Sequence, residues 1–186
     1  DLAAISGLTL EGSGYQLQNN ARIVLTSTGA KVTKTAKAID GGDSSVVNSG
    51  NITIGSSDVL FTDSYGIYNR GSSLTNSGSI TVFGSGYGIY GKGSIDNSGN
   101  IAIHAENDAA PVYGIYGQNG SVIDNEGQIN IASSKAVNTS AVFGIYGNSA
   151  DNDEGNDTKK RFYNHGTIAD HWHIFFIADG FRRSSG

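Results

Sequence analysis

Short stretches of alternating apolar and polar residues run along this chain, and the stretches return at a regular distance. Ile52/Ile54, Ile80/Val82, Ile101/Ile103 and Ile129/Ile131 each place two apolar residues on one side of an extended segment. Leu17, Val46, Leu74, Ile95, Ile123 and Phe162 form a second apolar series, and Ile67, Ile89, Ile115 and Ile145 a third. Period-two alternation predicts strands, and three series per unit predict three short strands per unit. The punctuation is equally regular. A phrase Asn-x-Gly-x-Ile begins at Asn48, Asn76, Asn97, Asn125 and Asn164, with a degenerate copy at Asn19. The steps between the leading Asn residues are 29, 28, 21, 28 and 39 residues.

Repetition with a period in the twenties implies one supersecondary unit stacked on copies of itself. No single unit can bury its apolar side, so the three series are expected to become continuous columns only on stacking. The expected fold is all-β: a parallel β-helix of about six coils, roughly 29 Å long at a strand spacing of about 4.8 Å. In the corners, Gly50, Gly78, Gly99, Gly127 and Gly166 are expected to supply a positive φ. Asn48, Asn76, Asn97, Asn125 and Asn164 are expected to bond neighbouring backbone and one another in a ladder. On this reading the Asn and Gly residues are structural.

Composition narrows the function classes. Charged residues make up 16% of the chain, and 12 basic against 17 acidic residues leave a net charge of −5. A nucleic-acid binder needs a basic footprint, so that class is disfavoured, and no polybasic patch addresses anionic lipid. With no Cys there is neither a disulfide framework nor a thiolate-ligated metal or redox site. No apolar run is long enough to span a bilayer, so this segment is not expected to insert into a membrane. The chain lacks an initiating Met and a signal peptide, and is expected to be a fragment of something longer.

Coils built from Asn-x-Gly-x-Ile and from Tyr65-Gly-Ile-Tyr68, Tyr87-Gly-Ile-Tyr90, Tyr113-Gly-Ile-Tyr116 and Phe143-Gly-Ile-Tyr146 resemble the passenger domains of Gram-negative autotransporter adhesins. The resemblance covers about residues 15–168. It implies a single-stranded right-handed parallel β-helix, displayed at the bacterial outer membrane or secreted, that attaches to host glycan or matrix protein, or to copies of itself in aggregation and biofilm. It implies no cofactor. Residues 1–168 would form the helix, and residues 169–186, which include the apolar run His171-Trp-His-Ile-Phe-Phe-Ile177, would be a terminal cap or a non-native tail.

Binding residues are sought between the repeated phrases. Tyr68, Tyr90, Tyr116 and Tyr146 alternate with inward Ile and are expected to face out beside Gly66, Gly88, Gly114 and Gly144. Such a strip suits the apolar faces of sugars or a flat protein partner, and it equally suits mutual support between coils. Tyr65, Tyr87, Tyr113 and Phe143 are expected to share the Ile side and lie in the core. An insertion of about ten residues before Asn164 holds Asp151, Asp153 and Asp157, which could wrap Ca²⁺ or form a solvated acidic loop beside Lys159, Lys160 and Arg161. His165, His171 and His173 lie close in sequence, but no third metal ligand is evident.

Enzymatic activity is the rival class, because polysaccharide-degrading enzymes also use β-helices. Asp40, Asp96 and Asp124 lie on predicted strands, yet Asp96 and Asp124 merely precede corner Asn residues and have no basic partner at matching spacing. Neither a nucleophile elbow nor a phosphate-binding loop occurs. The expectation is a non-enzymatic adhesin, with a β-helical phage or bacteriocin fibre and a polysaccharide-acting enzyme as alternatives.

Overall fold

A computed structural model describes residues 4–28, 31–105, 111–118, 120–133, 142–147 and 161–170. All the regular structure among them is β-strand, wound into six coils of a parallel β-helix with three faces. The first face carries Ala4–Thr9, Lys31–Asp40, Leu60–Tyr68, the second half of Ser79–Gly91, Val112–Gly117 and Val142–Gly147. Ser13–Asn19, Asp43–Asn48, Ser73–Asn76, Ser94–Asn97, Val122–Asn125 and Arg161–Asn164 make the second face. Ile23–Leu25, Asn51–Ile54, the first half of Ser79–Gly91, Asn100–Ala105, Gln128–Ser133 and Thr167–Asp170 make the third.

Every pair of stacked strands is parallel, and the register places each repeated residue on its equivalent. Ile23, Ile52, Ile80, Ile101, Ile129 and Ile168 form one column, and Leu17, Val46, Leu74, Ile95, Ile123 and Phe162 another. Ile39, Ile67, Ile89, Ile115 and Ile145 make the third. In the central coils these side chains are at most 2% exposed, so the core is a narrow aliphatic rod. A one-residue slip of any strand would turn its Ile side chains to solvent, which pins the register.

The 21-residue step has a simple cause. Between Asn76 and Asn97 a single strand, Ser79–Gly91, crosses from the third face to the first with no excursion. Gly84 (φ 114°) and Gly86 (φ 131°) bend it at the corner. In the coil before it, residues 55–59 loop out at the same junction, which lengthens the step from Asn48 to Asn76.

The corner glycines of the Asn-x-Gly phrase do not do what was expected of them. Among the described glycines, positive φ occurs at residues 12, 14, 42, 55, 84, 86, 93 and 120, and at none of Gly50, Gly78, Gly99, Gly127 or Gly166. Their requirement is steric. A Cβ on Gly78, Gly99, Gly127 or Gly166 would run into the carbonyl oxygen of the corner Gly one coil earlier, at contact no side chain tolerates. That carbonyl accepts the next strand's first N–H, as in Asn100 N to Gly78 O at 3.2 Å, so it cannot move aside.

Beside these glycines runs the Asn ladder. The Nδ2 of Asn19 donates to Oδ1 of Asn48 at 2.8 Å, and the same bond joins Asn48 to Asn76, Asn76 to Asn97, Asn97 to Asn125 and Asn125 to Asn164, each at 2.7 Å. The second Nδ2 proton turns back to the Gly carbonyl two residues on, at 3.2–3.3 Å from Asn48 through Asn125. Asn19, Asn48, Asn76, Asn97 and Asn125 are buried, so these bonds satisfy amides that would otherwise be costly to desolvate.

Candidate functional site

The Tyr-Gly-Ile-Tyr phrases lie on the first face, and there strict alternation breaks. Both Gly66 and Ile67 point inward: Ile67 is fully buried, and a Cβ on Gly66 would strike Cγ2 of Ile80 on the third face. Gly88, Gly114 and Gly144 meet Ile101, Ile129 and Ile168 in the same way. The two repeated phrases therefore interlock, the Gly of one receiving the Ile of the next. With two consecutive residues turned in, the residues on both sides turn out.

Tyr65, Tyr87 and Tyr113 are consequently half-buried on the outer surface rather than in the core, which corrects the expectation from simple alternation. Phe143 is buried, at 7% exposure, but it belongs to the same outer column. The glycines do not border the strip either, because they face the core.

What results is a strip two rings wide. In the first column Tyr65, Tyr87, Tyr113 and Phe143 stack with centroids 4.8, 4.9 and 5.1 Å apart. Tyr68, Tyr90, Tyr116 and Tyr146 stack beside them at 5.1, 4.9 and 5.1 Å. Across the columns the rings meet edge to face, as in Tyr65–Tyr68 at 5.3 Å and Tyr87–Tyr90 at 5.1 Å. Both geometries suit the aromatic quadrupole, and each pair contributes about 0.5–1.5 kcal/mol beyond area burial.

This packing changes what the strip can do. Within the strip, facing rings of successive coils cover one another, so Tyr87, Tyr90, Tyr113 and Tyr116 present ring edges and phenol hydroxyls to the surface. Tyr68, Tyr90 and Tyr116 form the outer row, partly exposed, and their hydroxyls make no hydrogen bond within the described residues. Burial, followed by the neighbouring phenols, raises the Tyr87 pKa to about 12. Tyr90 and Tyr113 are shifted upward for the same reasons. Tyr65 is raised further, first by burial and then by the adjacent Asp63 carboxylate. Burial thus holds the phenols of Tyr65, Tyr87, Tyr90 and Tyr113 in the neutral form to higher pH than usual.

At its N-terminal end the aromatic pair is replaced by charge. Lys37 and Asp40 occupy the positions that Tyr65 and Tyr68 fill one coil later. The Lys37 ammonium lies 2.9 Å from the Asp40 carboxylate and 3.8 Å from the centre of the Tyr68 ring. Asp40 thus has a basic partner, which its place in the sequence did not disclose. Asp63, missed altogether in the sequence, accepts the Thr35 hydroxyl at 2.6 Å and lies close enough to the Tyr65 phenol to raise its pKa. The signal was present in the register, since Thr35 and Asp63 stand 28 residues apart, one coil step.

The remaining candidates stand elsewhere. Asp96 and Asp124 occupy adjacent coils of the second face, on the outer side beside the Asn ladder. His165 is exposed and stacks on Tyr163 at 6.5 Å. Asp151, Asp153, Asp157, His171, His173 and the apolar run at 171–177 lie outside the described residues. No group of three metal-ligating side chains occurs among the described residues.

The model of the hyphally regulated cell wall protein N-terminal family matches residues 4–155, which include the coils that build the strip. No curated protein and no solved structure matches the chain. The family match overturns the resemblance to Gram-negative autotransporter passengers, and with it the expected bacterial outer-membrane setting. Part of the reason is visible in the fold: the Asn, Gly and Ile of the Asn-x-Gly-x-Ile phrase are corner and core residues, which serve the stacking of coils and do not mark a secretion class. From the matched residues, the chain belongs to the hyphally regulated cell wall protein N-terminal family, a fungal cell-wall family, and so to the proteins of the cell surface.

Proposed function

We propose that this chain is a non-enzymatic adhesive module that lays its tyrosine strip along an extended polysaccharide. The observation that carries the reading is the row of part-exposed phenol hydroxyls on Tyr68, Tyr90 and Tyr116, without a hydrogen-bond partner among the described residues and held in register on a rigid rod. A polysaccharide offers a hydroxyl array that repeats along its length, and a rod with one phenol per coil offers many weak bonds at once. Avidity then follows from geometry, since each further rung engages at high effective concentration. The low charge of the surface and the surface setting of the family support the same reading. Because ring faces are occupied by other rings, contact runs through hydroxyls and ring edges, not through sugars stacked flat along the strip. Two strand carboxylates are engaged in the fold, Asp40 with Lys37 and Asp63 with Thr35, which favours binding over catalysis.

The test is sedimentation of the purified chain with insoluble β-glucan and chitin particles. Replacing Tyr68, Tyr90 and Tyr116 by Phe removes the hydroxyls while retaining the stacks; Phe143 already occupies one column as a plain ring. The triple variant is expected to lose most of its particle binding at unchanged melting temperature. Undiminished binding by a folded triple variant refutes the reading. Concentration-dependent self-association without particle binding points instead to like chains as the partner, and release of reducing ends from the particles to an enzyme.

A further inference from the structure

We propose that Thr35, Lys37, Asp63 and Tyr65 form a sugar subsite at the N-terminal end of the strip, built to take a ring bearing two adjacent hydroxyls. The inference rests on the adhesive reading above and gives it an anchored end. Thr35 pairs with Asp63 and Lys37 with Tyr65 in the register of two neighbouring strands. Residues two apart on a strand share a side, so the four side chains mark the corners of one outward patch. It measures about 4.8 Å across the strands and about 6.6 Å along them.

Within that patch the hydrogen-bonding capacity is only partly used. The Asp63 carboxylate accepts from Thr35 and lies beside the Tyr65 phenol, which leaves lone pairs for a further donor. Among the described side chains it has no cationic partner. The Lys37 ammonium gives one proton to Asp40 and faces the Tyr68 ring, and with three protons in all it retains capacity for one further acceptor. A donor and an acceptor thus flank Tyr65. Adjacent hydroxyls on a sugar match them: one donates to Asp63, and its neighbour accepts from Lys37.

Tyr65 supplies the third requirement. Elsewhere in the first column, Tyr87 and Tyr113 have a ring stacked on each side. Tyr65 is stacked on one side only, by Tyr87, and its opposite neighbour is Lys37. The Lys37 ammonium leans to Tyr68, 3.8 Å from that ring's centre against 5.9 Å for Tyr65. Tyr65 is therefore the ring on which the apolar side of a sugar can rest, with its polar partners already placed around the edge.

Asp63→Asn and Lys37→Met test the site, because each keeps the shape of the side chain and removes its charge. The probes are soluble oligosaccharides of glucose and of N-acetylglucosamine, titrated calorimetrically against the full chain, before and after periodate cleavage of their adjacent diols. At least one probe is expected to bind the unmodified chain, with each substitution lowering its affinity about tenfold or more. Melting temperatures are expected to be unchanged, and periodate treatment of a bound probe is expected to abolish binding where its diol is cut. Equal affinity of both variants and the parent, or no binding of any probe to the parent, overturns the proposal. The Tyr68/Tyr90/Tyr116→Phe variant separates the two claims. Loss of particle binding there, with oligosaccharide affinity unmoved by Asp63→Asn, keeps the strip and discards the subsite.

Discussion

Removing one rung from the middle of the Asn ladder is expected to destabilise the rod far more than removing the last one. Asn97 accepts from Nδ2 of Asn76 at 2.7 Å and donates to Oδ1 of Asn125 at 2.7 Å, at 2% exposure. Asn97→Ala leaves the Asn125 oxygen and one Asn76 proton without a partner where water does not reach. A buried polar group deprived of its bond costs about 1–3 kcal/mol, so two cost about 2–6 kcal/mol. Asn164 provides the control within the same ladder. It accepts from Asn125 at 2.7 Å, its own amide turns back to Gly166 at 3.2 Å, and it is solvent-exposed, so in Asn164→Ala water can reach the Asn125 proton that loses its partner, and the cost should be about 1 kcal/mol or less.

Urea unfolding followed by far-ultraviolet circular dichroism measures both variants. Stability in stacked repeats is a sum of unit and interface contributions, so a broken central interface also uncouples the coils on either side. Asn97→Ala is accordingly expected to lower both the midpoint and the slope of the transition. A loss at Asn97 no greater than at Asn164, with an unchanged slope, would refute the view that the ladder holds the coils together.

Three further perturbations probe other parts of the fold. Gly78→Ala, whose Cβ meets the Gly50 carbonyl, is expected to prevent native stacking, read as lost soluble expression or lost β-sheet dichroism; Gly120→Ala, with open space but φ +73°, should cost only about 1–2 kcal/mol. Tyr90→Ala with Tyr116→Ala removes two rungs and their stacks at 4.9–5.1 Å, and is expected to lower the melting temperature where the matching Phe pair does not. In alkali, the raised Tyr87 pKa means that the fold prefers the neutral phenol, so its contribution is complete below pH 10 and is lost as the pH rises towards about 12. Melting temperature should therefore fall over that window, and less steeply in Tyr87→Phe; equal slopes would show that Tyr87 is not the group responsible.

Much of this architecture is legible in the residues alone because the coil is a local object. Ile52, Ile80, Ile101 and Ile129 share one offset from their Asn, so their meeting in one column follows from stacking and from nothing distant. The same holds for the Asn ladder, where identical short amides one coil apart have each other as partners. The outer faces were less legible. Alternation placed Tyr65 in the core, but Gly66 and Ile67 both turn inward, and period-two counting has no means of registering that bend. Asp63 escaped notice because its partners, Thr35 in the previous coil and Tyr65 beside it, become a cluster only once the strands are aligned.

The sequence by itself therefore determined the parallel β-helix, its six coils and its three aliphatic columns, because each depends on spacing within one repeat. Tertiary structure alone decided the surface: that the aromatic strip is two rings wide, that its faces are filled by its own rings, and that the corner Gly is there to admit a carbonyl. Those outcomes depend on how one coil meets the next, at separations of about 4.8 Å set by backbone pairing. At that distance a Tyr finds another Tyr before it finds a ligand, and a Cβ finds a carbonyl before it finds space.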